Sequence, residues 1–330
     1  MNLPGLPSIS GMVKVAANQF LVVHDGKRPN EPRLGVIDVE EKKGLGYREI
    51  SIDKWPSNEK PPNDVEGICA IPGRNDEYLL AESGFYPGHG KFGRVIKIAY
   101  PRGKTLDAAE YMGSFRPLPA PPNNVDTPRP AQIEGIAVVV QHHFNVLLLA
   151  LRGGKETPEE KKIIAGQLIW GTLTGVDTST PTFTKSGTAP LSYKPIADRG
   201  AADLYVMPYR TDKWKVYSVA TSDPGDFGDQ KDLGPFRSAV YLAGTLTIGP
   251  AKILFKPLKA KKIVHWDFEG LKVEAIAAPA EMFKESGGLS IATDDELYNG
   301  IWRPISKSTV ARSPSPLLFT KNAKEGFYLK

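Results

Sequence analysis

The chain has 330 residues, 41% hydrophobic and 24% charged, with a formal charge of +5: a globular profile with ample chain for a large core. Its cations are spread out, and the densest run, KPLKAKKIVHW at 256–266, interleaves Lys with apolar residues as a strand with one wet face does. Neither a nucleic-acid nor a membrane partner is therefore expected. A single cysteine, Cys69, excludes an intramolecular disulfide, and no apolar stretch reaches the roughly 18 residues of a spanning helix.

The N-terminal MNLPGLPSISG lacks a basic segment followed by an apolar one, so the expectation is a cytoplasmic protein, or an exported one whose leader has been removed. After it come short runs rich in β-branched and aromatic residues, each ended by turn residues: QFLVVHDG, RLGVIDVE, DVEGICAI, EYLLAESG and GRVIKIAY. A proline-dense loop, RPLPAPPNNVDTPRP at 116–130, interrupts them, because proline removes ladder donors. The series resumes with IEGIAVVVQHHFNVLLLALRGG, GQLIWGTLTG, RGAADLYVM, WKVYSVATS, SAVYLAGTL, DFEGLKVEAI and GLSIATDDE. Helical periodicity is confined to a turn or two at 157–167 and 278–286. Cys69, inside EGICAI, reads as a small core residue.

A repeat organises these runs. Glu66, Glu134, Asp203 and Glu269 each open an apolar strand and lie 68, 69 and 66 residues apart, and Gly11 marks an earlier copy. Each unit holds four short strands, the signature of a β-propeller. The expectation is an all-β fold, one propeller domain over 1–330, with five four-stranded blades around a central channel. The outermost strand at 316–329 would close the ring, and a sixth blade split between the termini is possible.

Antiparallel blades place the loop leading into the innermost strand and the exit of the second strand on one face. That rule gathers His24, Asp25, Glu82, Arg152, Arg199, His265 and Asp294, as candidate catalytic or anion-holding groups, with Glu66, Glu134, Asp203 and Glu269. Carboxylates converging on an axis repel unless paired or bound to a cation, so these last four are candidate ligands for Ca²⁺ or another divalent cation. On the other reading each acid accepts backbone N–H groups while Gly67, Gly135 and Gly270 let blades crowd the axis. Arg152 and Arg199 read as structural ion pairs or as clamps for a carboxylate or phosphate. His24 and His265 read as general bases or as structurally satisfied groups. No GxSxG, HExxH or CxxC occurs.

The ordered motifs DVEGICAI, EYLLAESG, IEGIAVVV, LALRGG, RGAADL and GLSIATDDE resemble the bacterial DUF3616 family, and more distantly the phytase-like esterase propellers. The resemblance covers roughly 64–302 and implies the fold rather than a reaction. ALRGGK departs from the family's GLRGP-like exit, and Ala202 stands where RGIRDL-like segments carry arginine. The expected function is a metal-assisted hydrolase of phosphate or carboxylic esters, with a small anionic or ester substrate. The alternative is a non-catalytic propeller, binding a ligand or an unknown protein partner, whose acidic ring is structural.

Overall fold

The computed structural model describes residues 6–306 apart from 27–29, 41–43, 84–92, 102, 104–105, 119–131, 154–164, 197–199, 223–234, 259–264, 287 and 295–299. Blade 1 consists of β1 (Gly11–Ala16), β2 (Gln19–Val23), β3 (Leu34–Glu40) and β4 (Gly44–Asp53). Blade 2 consists of β5 (Val65–Ala70), β6 (Glu77–Glu82), β7 (Val95–Ala99) and β8 (Ala108–Phe115). Blade 3 follows with β9 (Ile133–Gln141), β10 (Phe144–Leu151), β11 (Gly166–Thr174) and β12 (Thr182–Leu191). Blade 4 contains β13 (Leu204–Arg210), β14 (Lys213–Ser222), β15 (Arg237–Ile248), β16 (Ile253–Pro257) and β17 (His265–Glu269). Blade 5 contains β18 (Val273–Ala277), β19 (Leu289–Thr293) and β20 (Trp302–Ile305).

Consecutive strands within each blade pair antiparallel. The innermost strands β1, β5, β9, β13 and β18 pack side by side, and β18 returns to β1. Among the described residues, five blades thus close the ring. The closing strand expected at 316–329 lies outside the described residues. Blades 1 and 5 meet at a seam, where Ile9 N–H donates to Thr293 O (2.9 Å) and Gly300 N–H donates to Leu6 O (2.8 Å).

Period-two alternation explains why the strands read as unbroken apolar runs. Along β2, Phe20 and Val22 face a cluster shared with Ala275, Ala292 and Trp302 of blade 5, while Leu21 and Val23 face one shared with Tyr78, Leu80 and Ile96 of blade 2. Where a blade is covered on both faces, both side-chain sets must be apolar. Three further clusters fill the remaining gaps between blades. Cys69 is buried in the one between blades 2 and 3, where burial pushes its thiol well above the usual range.

Two irregularities matter below. The outer strands β4 and β8 pair in parallel, joining blades 1 and 2 into an eight-stranded sheet. In blade 4 the outer strand is split: β16 pairs with the lower half of β15 (Gly244–Ile248) and β17 with its upper half (Arg237–Tyr241). We call upper the face from which the innermost strands enter. The short 3-10 helix Glu281–Ser286, at the lower end of blade 5, is what the helical pattern at 278–286 becomes.

Candidate functional site

The upper ends of the innermost strands share one distortion. In β5, Val65 pairs with Glu82 and Gly67 with Ala81, leaving Glu66 as an extra residue. Glu134 is skipped in the same way between Ile133 and Gly135, and Glu274 between Val273 and Ala275. A bulge adds one residue to a strand and re-aims its side chain. Here the re-aimed residues are acids, and the residue after each one is small because the next blade presses on it. A Cβ on Gly67 would come within 3.1 Å of Glu134 O, and one on Gly135 within 2.7 Å of Leu204 N. One on Gly11 would come within 2.7 Å of Glu66 O. The Glu-Gly pair is thus the sequence form of a bulge at a crowded axis.

These contacts align Glu66 with Glu134 and Asp203, and the bulge in β18 supplies Glu274 as the blade 5 counterpart. The expected member Glu269 is a correction. It is exposed at the end of β17, on the outer edge of blade 4 opposite Arg237, and Gly270 beside it has nothing within reach of a Cβ. The split outer strand generated a second acid-glycine pair a few residues before the true bulge. His265 opens the same β17, paired with Tyr241 away from the axis, so it too is displaced from the mouth.

Glu66, the extra residue of the β5 bulge, is half-buried. Confinement pushes its pKa well above the carboxylate range, and the neighbouring charges of Glu134, Asp64, Asp25 and Glu274 push the same way. Glu134 is buried, with Ser83 Oγ donating to its Oε1 at 3.4 Å. Asp64, which leads into β5, adopts a left-handed backbone (φ 56°), a conformation Asp tolerates better than most residues.

Other acids at the mouth are committed to the fold. Asp203 Oδ1 accepts from Leu204 N–H (2.7 Å) and Oδ2 from Ile276 N–H (2.8 Å), stitching blade 4 to blade 5. Burial raises its pKa well above the usual range, against the pull of those two amides. Glu82 is held bidentately by Arg94, Nε to Oε2 and Nη2 to Oε1, both at 2.6 Å. Arg94 also pairs with Glu59 (3.2 Å) and lies over the Trp55 ring. Asp294 accepts from buried Lys272 (3.1 Å), which also faces Glu274 at 3.7 Å. Burial alone would raise the pKa of Asp294, but Lys272, Glu274 and Ser8 outweigh it and hold it below the carboxylate range.

His24 is buried, and both ring nitrogens are occupied: Nδ1 faces Ser8 O at 2.5 Å and Nε2 faces Tyr47 Oη at 3.1 Å. Burial lowers its pKa to about 4, so it is a neutral structural group rather than an available base. Asp25 sits at the end of β2 and Arg152 at the end of β10, where Arg152 N–H donates to Gln132 O (2.9 Å), both on the mouth side as expected. Arg199 lies outside the described residues. Sequence reasoning missed Arg94, Lys272 and Glu274; the VEAI at 273–276, matching VEGI and IEGI, was the signal for the last.

Two of the four candidate cation ligands are engaged or placed elsewhere. Asp203 has spent both oxygens on amides, Glu269 is elsewhere, and among the described residues no group of three or more His, Cys, Asp or Glu side chains is placed to hold a metal ion. Charge at the mouth is unbalanced nonetheless. Asp25, Asp64, Glu66, Glu82, Glu134, Asp203, Glu274 and Asp294 outnumber the described cations Arg33, Arg94, Arg152 and Lys272. No described helix is long and apolar enough to cross a membrane.

No family model matches the chain, and no curated protein matches it. Among solved structures it is similar to a glucose dehydrogenase, 11% identical over 92% of this chain and 98% of that one, with a TM-score of 0.40. It is also similar to a putative glycoside hydrolase from Parabacteroides distasonis (9% identity, 92% and 87% coverage, TM-score 0.45). A third is the GH93 alpha-L-arabinofuranosidase of Fusarium graminearum (11% identity, 91% and 82% coverage, TM-score 0.39). At these identities the likeness concerns the fold.

Proposed function

We propose that the protein is an acid–base hydrolase acting at the channel mouth on a neutral, oxygen-linked substrate, a carboxylic ester first. One observation carries the reading: bulges on adjacent innermost strands bring Glu66 and Glu134 together, where burial and the neighbouring acids raise the pKa of Glu66. A protonated carboxyl beside a second carboxyl is the minimal set for proton donation and proton abstraction at one bond. In this reading Glu134 takes a proton from the water that attacks the carbonyl carbon. The acyl C–O bond breaks, the alcohol leaves with the proton of Glu66, and the proton on Glu134 restores the pair. A phosphate ester would bring anionic charge into a mouth already rich in carboxyls, so it is the disfavoured substrate.

The test is hydrolysis of p-nitrophenyl esters, glycosides and phosphates by the wild type and by Glu66→Gln and Glu134→Gln. Ester turnover reduced about 100-fold or more in each variant is the expected result. Absence of turnover across the panel, or full activity in both variants, overturns it in favour of a binding propeller with a structural acidic ring, a role Asp203 already fills. Calcium titrated calorimetrically into chelator-treated protein addresses the metal: heat of binding that vanishes in Glu134→Gln replaces the metal-free pair with a cation-holding one.

A further inference from the structure

Blade 4 outreaches its neighbour. Strands β14 and β15 have 10 and 12 residues, while β18 and β19 have 5 each. Blade 5 covers only the upper half of that flank, where Thr221 Oγ1 donates to Val273 O (2.7 Å) and Tyr217 and Val219 pack among Ile276, Leu289 and Ile291. The connection from β18 to β19 leans the other way, onto blade 1: Glu281 N–H donates to Ala17 O (2.7 Å), and Glu281 pairs with Lys14 (3.5 Å).

Among the described residues the lower half lies beyond the ends of β18 and β19, and it carries cations on a single face. Lys215 pairs across Thr245 with Lys256, and Arg210 pairs across Lys213 and Thr247 with Leu254, which is 47% exposed. The opposite face, with Trp214, Leu246 and Phe255, is buried against blade 3. From β13 to β16 the described strands and turns contain one carboxylate, Asp212, and it turns to Gln141 and His142 of blade 3. Among the described residues none of the four cations pairs with an acid. Two of them lie on exposed Tyr209 instead, Arg210 at 5.0 Å and Lys215 at 4.7 Å from the ring centroid.

We propose that this flank of blade 4 is a docking surface for an acidic, extended peptide segment of a protein partner, held by Arg210, Lys213, Lys215 and Lys256. Charge complementarity sets the sign of the occupant. Spacing sets its form: Lys213 and Lys215 are alternate residues of one strand, about 6.6 Å apart, the same repeat that alternate side chains of an extended peptide present. The step down from blade 4 to the short blade 5 admits a single chain lying across the sheet, whereas a flat bilayer would meet the outer edges of both blades.

The experiment is fluorescence anisotropy with a labelled twelve-residue peptide of alternating Glu and Ser, against the full chain. Saturable binding is expected, weakened at least tenfold by Lys213→Glu/Lys215→Glu and by raising salt from 50 to 300 mM, and unchanged by Lys185→Glu on the outer strand of blade 3. Melting curves of the charge-reversal variant should overlay the wild type, since these side chains lie on the surface. Failure to bind the peptide, equal loss in Lys185→Glu, or tighter binding of phosphatidylserine vesicles or of a single-stranded oligonucleotide of equal charge each overturns the assignment.

Discussion

At the upper rim of the propeller, bulges turn acids inward, glycines sit against the next backbone, and charged groups are buried in paired sets. At the lower rim of blades 3 and 4 the strands end in tight hairpins, where His142, His143 and Asp212 take left-handed backbones, and the flank of blade 4 carries exposed cations. The strands are common to both rims, so sheet formation does not explain the difference. Convergence does: near the axis one backbone presses on the next, and a buried polar group there is costly unless a specific partner satisfies it. At the periphery a charge costs little and can stay unpaired. The chemistry we propose uses the first regime and the docking surface the second.

Breaking the buried charge set should have the largest effect. Lys272→Met leaves Glu274 and Asp294 buried without their cation, at a cost of about 3–5 kcal/mol measured by urea unfolding. Asp294 has a depressed pKa, so its stabilisation is present above the unfolded value near ~4 and lost as pH falls from there through its lower folded value. The variant should therefore lose most of its deficit in acid, with its curve approaching the wild type below pH 4.

Crowding comes next. Gly135→Ala drives a Cβ to within 2.8 Å of the Asp203 backbone, whereas Gly249→Ala, in a lower turn, meets only Lys252 O at 3.8 Å. The first should cost about 1–3 kcal/mol and the second less than about 0.5. Equal effects in thermal melts would remove the distinction between the rims.

These contrasts mark what the sequence could disclose. Blade count and the face that collects the acids follow from strand spacing and antiparallel order, and both are visible in one dimension. The bulge is half visible: Glu-Gly locates it in β5 and β9, but DFEG at 267–270 imitates it, because nothing local says that β17 pairs with β15 at an outer edge. Arg94 and Lys272 were illegible for a related reason. Each is buried only because a residue distant in sequence, Glu59 or Asp294, folds over it, and an isolated Arg or Lys in an apolar run reads as a wet side chain.

The smallest effect is a slope. Burial and neighbouring acids raise the pKa of Glu66, so its contribution to stability is full below its unfolded value near ~4.3 and declines as pH rises toward its folded value. Glu66→Gln removes that decline. Relative to wild type it should gain stability as pH rises above that unfolded value, by at most ~1.4 kcal/mol per pH unit, read as a growing difference in Tm. A more stable variant that has lost ester turnover would fit a group kept at a cost for chemistry. A parallel pH dependence would show that Glu66 ionises freely.

The seam between blades 5 and 1 has a consequence in time. Phe20, Val22 and Ile37 belong to the first blade made, yet Trp302, which covers them, belongs to the last. At ribosomal rates of about 5–20 residues per second, that flank of blade 1 waits roughly 10 to 50 seconds for its cover. During synthesis the protein is an open fan with an adhesive edge. Its hazards, and its need for chaperones, should be concentrated in the interval before the ring shuts.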